Sequence, residues 1–137
     1  MEKLAHNYHA LRQLTPYGTK FMGLVKADAY GHGAVPVAKK LEELGADYLG
    51  VAYLDEAIEL REAGIQAPIL ILGCTPSFYG KELMQYNITQ ACYDLSYAKA
   101  LSAEAQSAGG TITVHIQCDT GMTRLGFLCD EAHMTQS

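Results

Sequence analysis

Residues 48–72 read YLGVAYLDEAIELREAGIQAPILIL, and the fold class follows from this stretch. Tyr48-Leu-Gly-Val-Ala52 is a short apolar run, and Pro68-Ile-Leu-Ile-Leu72 is a second with no polar residue to interrupt it. Between them the period changes. From Leu54 to Ala63, Leu54, Ala57, Ile58 and the aliphatic stem of Arg61 fall on one helical face, and Gly64 stops the helix. Parallel strands covered on both faces read as continuous apolar runs, as residues 68–72 do. Strand, amphipathic helix and strand together form a parallel βα unit.

The same alternation extends both ways. Residues 21–26 (Phe-Met-Gly-Leu-Val-Lys) form a strand ending in a lysine, and Val37, Ala38, Leu41 and Leu44 mark a helix closed by Gly45. Downstream, residues 78–86 predict a short helix and Thr89 to Tyr93 a fourth strand. Leu95, Ala98, Leu101 and Ala105 describe a helix that ends at Gly109-Gly110. In the fifth strand, Thr111 to Cys118, the residues Ile112, Val114, Ile116 and Cys118 alternate with Thr113, His115 and Gln117. Strand starts near 21, 48, 68, 89 and 111 recur at intervals of 27, 20, 21 and 22 residues. Leu4, Tyr8 and Leu11 place a helix before the first strand. An open doubly wound sheet and part of a (β/α)8 barrel both satisfy this pattern.

Composition narrows the function classes. The chain has 137 residues, 49% of them hydrophobic and 18% charged, which suits one domain with a buried core and excludes wholesale disorder. Ten Lys and Arg against fifteen Asp and Glu give a net charge of −5, the wrong balance for a nucleic-acid partner. No apolar run approaches the roughly 18 residues that span a bilayer, and MEKLAHNYHA lacks the apolar centre of a signal peptide, so a soluble, cytoplasmic chain is expected. The cysteines at 74, 92, 118 and 129 form no C-x-x-C pair and are expected to be reduced, mostly buried thiols. With His6, His9, His115 and His133 they make no metal-site spacing, so no metal is expected.

Two loops stand out. Lys26 ends an apolar strand and precedes Ala27-Asp28-Ala29-Tyr30-Gly31-His32-Gly33. In parallel α/β folds the carboxyl ends of strands face the ligand site, and a partly desolvated lysine there can attack an aldehyde. A strand-end lysine can equally be one that extends its amine to solvent. The second loop, Cys118-Asp-Thr-Gly-Met-Thr-Arg-Leu-Gly-Phe127, puts Asp119 and Arg124 at the same edge if the strands are parallel. Arg124 is either a surface cation or a planar fork for a phenolate or carboxylate.

Val25-Lys-Ala-Asp-Ala-Tyr-Gly-His-Gly33 followed by Asp119-Thr-Gly-Met-Thr-Arg-Leu-Gly126 resembles the alanine racemases, and the resemblance covers essentially the whole chain. That family uses pyridoxal 5'-phosphate (PLP) on a (β/α)8 barrel joined to a β-domain and acts as a homodimer. The resemblance implies that Lys26 carries PLP as a Schiff base and serves as one of two catalytic bases. It also implies that Tyr30 hydrogen-bonds the cofactor phosphate, and that Arg124 lies beside the phenolic oxygen and helps bind the substrate carboxylate. The implied activity interconverts L-alanine and D-alanine, supplying D-alanine for peptidoglycan. A serine-racemising variant and a non-catalytic PLP-binding barrel that buffers the cofactor share parts of this pattern.

Two departures stand against the family pattern. Gln117 occupies a position where many members carry a carbamylated lysine, and its carbonyl oxygen could still accept a bond from Arg124. Five strands in 137 residues also fall short of the roughly 250 residues of a complete barrel. Residues 1–137 are therefore expected to be the N-terminal part of the PLP-binding barrel, with the β-domain and the second base outside it. Alone, they are expected not to racemise.

Overall fold

Each apolar run of the computed structural model becomes a short strand, and it describes residues 1–128. Helix α1 (Glu2–Leu14) leads into β1 (Met22–Leu24), which ends two residues before Lys26. A helical turn, α2 (Lys26–Gly31), precedes α3 (Ala34–Glu43), followed by β2 (Tyr48–Val51), α4 (Leu54–Glu62) and β3 (Ile69–Ile71). These elements form a first compact unit, Met1–Gly73. A second begins at Cys74 with a 3-10 turn (Ser77–Tyr79), α5 (Gly80–Gln85), β4 (Thr89–Cys92), α6 (Leu95–Ser107), β5 (Val114–Ile116), β6 (Cys118–Asp119) and β7 (Phe127–Leu128).

In the first unit β1, β2 and β3 are parallel neighbours, with Gly23 opposite Leu49 and Gly50 opposite Leu70. Each strand must then be regained by a helix that runs back along the sheet. The core lies where these layers meet: Leu49, Val51, Ala57, Leu60, Ile65, Ile69 and Ile71 are fully enclosed. In the second unit β4 and β5 are likewise parallel, with Ala91 opposite His115. Leu83, Ile88, Ala91 and Leu101 form its core.

The helices end by a common device. At the end of α4, Gly64 takes φ +89°, its N–H donates to the Arg61 carbonyl, and the next N–H, of Ile65, donates to Leu60. This pair of bonds satisfies two carbonyls that a helix end otherwise leaves open, and it delivers buried Ile65 toward the next strand. The same pair closes α3, α5 and α6; in α5 the left-handed residue is Asn87 rather than glycine. Arg61 contributes a second lock, donating from one guanidinium nitrogen to the carbonyls of Ile65 and Ala67, both at 2.8 Å. At the start of α6 the Asp94 carboxylate accepts from the Tyr97 N–H at 2.7 Å.

Several expectations need correction. The fifth strand is shorter than residues 111–118: β5 spans Val114–Ile116, where Val114 is exposed and Ile116 is 71% exposed. Among the described residues β5 has β4 as its sheet neighbour. The helix expected from Leu4, Tyr8 and Leu11 is present as α1, with Tyr8 buried and Leu11 exposed. Of the cysteines, expected to be mostly buried, Cys92 is buried while Cys74, on the loop after β3, and Cys118, at the start of the short edge strand β6, are exposed; Cys129 and His133 lie outside the described residues. No helix of the described residues is long and apolar enough to cross a membrane.

Leu60 reports on the first core. Leu60→Ala removes a fully enclosed side chain between α4 and the sheet and is expected to cost about 2–5 kcal/mol, read as a lower urea midpoint.

Candidate active site

The Val25 N–H continues the ladder by donating to Gly50 at 2.9 Å, so the chain stays tied to β2 until one residue before Lys26. It then turns the wrong way. Ala27, Asp28, Ala29 and Tyr30 all have φ between +50° and +56° and ψ between 38° and 51°, a left-handed helical turn of four L-residues. Each such residue costs roughly 1–2 kcal/mol against its right-handed form, because Cβ crowds the following carbonyl. The turn exists because its surroundings over-determine it.

The restraints are hydrogen bonds. The Ala29 N–H donates to Val25 at 2.9 Å and the Gly33 N–H to Asp28 at 3.0 Å. The Asp28 carboxylate accepts the Ala34 N–H at 2.7 Å, which places a negative charge at the first turn of α3. From outside the turn, Glu56 on α4 accepts the Ala27 N–H at 2.7 Å with one carboxylate oxygen. Its other oxygen accepts the N–H of Ala52 at 2.7 Å and of Tyr53 at 3.3 Å.

This turn brings Lys26 and Tyr30 into one short segment after β1. Lys26 is half-buried and Tyr30 is 63% exposed, and among the described residues neither side chain makes a hydrogen bond or ion pair. An unpartnered amine and an unpartnered phenol beyond the carboxyl end of a parallel strand are fit to receive an aldehyde and a phosphate oxygen. The donor set therefore suits a group carrying both.

Arg124 belongs to the second unit. Its loop is built on Asp119, whose carboxylate accepts the N–H of Thr123 at 2.9 Å and of Gly121 at 3.0 Å. Those bonds hold the Asp119 carboxyl below the usual aspartate range. Beyond Arg124 the chain returns to pair β7 with β6. Gly126 sits at φ +131° there, where a Cβ would meet the Asp119 nitrogen at 2.7 Å and the Gln117 carbonyl oxygen at 2.9 Å. Gln117 does not bond the guanidinium. Its side-chain amide donates to the Leu125 carbonyl at 3.1 Å, so it braces the backbone next to Arg124 instead. The Arg124 side chain is exposed and makes no hydrogen bond or ion pair among the described residues.

Glu56 and Asp28 were not singled out from the sequence. A glutamate in the first turn of an amphipathic helix is an ordinary capping residue, and its second oxygen finds Ala27 only in three dimensions.

The chain matches the family model described as "Alanine racemase, N-terminal domain" over residues 1–136. It is 50% identical over 127 residues to an alanine racemase of Desulfovibrio desulfuricans, a match covering 93% of this chain and 34% of that protein. With alanine racemase 1 of Caldanaerobacter subterraneus subsp. tengcongensis it shares 43% identity over 128 residues, 93% of this chain and 33% of the relative. Among solved structures, an alanine racemase of Clostridium difficile superposes with a TM-score of 0.94 at 42% identity, over 99% of this chain and 36% of the other. A histidine racemase from Leuconostoc mesenteroides gives a TM-score of 0.88 at 32% identity, over 97% and 35%. The chain thus spans about a third of the length of the curated relatives it matches. Its strand-and-helix repeats are part of a (β/α)8 barrel, not of an open doubly wound sheet.

The Arg124 loop offers a direct check on its own packing. Gly126→Ala drives a methyl group into backbone atoms at a positive φ. It should destabilise the loop by about 1–3 kcal/mol, seen as faster amide exchange at Gly121 and Thr123.

Proposed function

The chain belongs to the alanine racemase N-terminal domain family, and we propose from that premise that it supplies the cofactor-anchoring face of a PLP-dependent racemase interconverting L- and D-alanine. One observation carries the reading: among the described residues the Lys26 amine stands unpartnered beyond β1, directly before the left-handed turn that ends in an unpartnered tyrosine, Tyr30. PLP, when bound, supplies the electron sink that acidifies the substrate Cα–H.

The residues of this chain would bind, orient and move a proton. Lys26 Nζ would hold the cofactor at its aldehyde carbon, and as an amine it would take or return the substrate Cα proton on one face. The Tyr30 hydroxyl would donate to a phosphate oxygen. Arg124 would direct its fork at the phenolic oxygen and the substrate carboxylate, which fixes the substrate's orientation. Racemisation requires a proton from the opposite face as well, and we assign that second base to a residue outside this chain. Homodimer formation, a cytoplasmic setting and the supply of D-alanine for peptidoglycan belong to the same proposal.

The relatives described above are racemases, which favours this reading over a non-catalytic PLP carrier. That one is named a histidine racemase supports a common reaction with a variable side-chain pocket.

Two substitutions test the assignment in the complete racemase that contains this chain, purified with PLP. Borohydride reduction followed by peptide mapping should find the pyridoxyl group on Lys26, and Lys26→Ala should abolish both the label and racemisation. A label on another lysine overturns the role of Lys26. Arg124→Lys retains the charge but not the planar fork, and it should lower kcat/KM about 10- to 100-fold, the scale of one lost charged hydrogen bond. An unchanged rate would remove Arg124 from the site.

A further inference from the structure

We propose that Glu56 is the positioning residue that sets the direction in which Lys26 leaves the backbone, by holding the Lys26–Ala27 peptide through the Ala27 N–H. The proposal rests on Lys26 being the cofactor-bearing amine.

Glu56 lies in the first turn of α4, and one of its oxygens does what that position ordinarily does, reaching back to the N–H groups of Ala52 and Tyr53. The other oxygen is not needed to cap the helix. It accepts at 2.7 Å from Ala27, 29 residues earlier in the chain. The Ala27 N–H lies in the same rigid plane as the Lys26 carbonyl, so fixing it fixes ψ of Lys26 and the orientation of that residue's Cα–Cβ bond. Ala27 is also the first of the four left-handed residues, so the bond sits where the handedness of the backbone changes. The N–H groups of Ala29, His32 and Gly33 are bonded to carbonyls of the same segment, whereas that of Ala27 depends on Glu56.

Glu56 acts through the backbone and not on the amine. The Lys26 side chain makes no ion pair among the described residues. One carboxylate thus ties the loop after β1 to the loop after β2, and a displacement of either would move the lysine.

Glu56→Gln separates this role from helix capping. A glutamine oxygen can still serve Ala52 and Tyr53, but its NH2 group would then face the Ala27 N–H, donor against donor. Glu59→Gln, an exposed change one turn along α4, is the control. The measurements are PLP affinity followed by the absorbance of the bound cofactor, borohydride-trapped label at Lys26, amide exchange at Ala27, and the thermal midpoint. In Glu56→Gln, PLP should bind about tenfold more weakly, with faster Ala27 exchange and a thermal midpoint close to the control's. Unchanged PLP affinity and Ala27 protection in that variant overturn the proposal.

If Glu56→Gln does not fold, the unsubstituted protein decides: exposed Ala27 must exchange slowly, and free exchange there overturns the proposal. Label at a lysine other than Lys26 in the unsubstituted protein overturns the underlying assignment and this proposal together. Label at Lys26 with no effect of Glu56→Gln on affinity or protection overturns the proposal alone.

Discussion

A left-handed helical turn built from Ala27, Asp28, Ala29 and Tyr30 is the constraint on which the rest of the first unit depends. None of these residues favours that conformation, and together they hold several kcal/mol of backbone strain at about 1–2 kcal/mol each. Such strain persists only where neighbouring groups make the alternative worse. Here two carboxylates do so. Asp28 turns inward to the first N–H of α3, and Glu56 reaches across from α4 to the first N–H of the turn. Without them the segment after β1 would relax to a right-handed turn, and Lys26 and Tyr30 would point elsewhere.

The two ends of the strands carry different work. At their N-terminal ends, the helices stop in paired carbonyl bonds that feed Ala46, Ile65 and Ile88 into the core, and side chains such as Arg61 saturate the remaining carbonyls. Those connections are tight and leave little polar chemistry free. In the first unit, Lys26 and Tyr30 lie beyond the C-terminal end of β1, and in the second Arg124 lies on the loop between β6 and β7; among the described residues none of the three has an internal partner. A rigid framework with unsatisfied donors on its loops is the arrangement that binding requires, because donors already paired within the protein would have to break those bonds first.

The Arg124 loop solves the same problem by a different route. Instead of a run of left-handed residues, it winds around one carboxylate, Asp119, and closes against a glycine that lets two backbone segments approach. Gln117 adds a brace through the Leu125 carbonyl.

Much of the framework was legible in the residues alone. The apolar runs at 48–52 and 68–72, the helical face from Leu54 to Arg61 and the stop at Gly64 reflect local preferences that the folded chain keeps, since parallel strands and amphipathic helices have distinct periods. Lys26 and the loop around Asp119 also stood out, as a cation ending an apolar strand and as a compact polar loop. What tertiary structure alone decided runs against local preference. Alternation in residues 111–118 marks a strand, but burial depends on what packs over it, and Ile116 is exposed. Gln117 was read as a partner for a guanidinium, yet its amide met a backbone carbonyl. The left-handed turn is the sharpest case. Ala-Asp-Ala-Tyr carries no signal for positive φ, and each residue by itself prefers the opposite hand; hydrogen bonds from the Ala27 N–H to Glu56 and from the Ala34 N–H to Asp28, formed after distant segments have packed, reverse that preference.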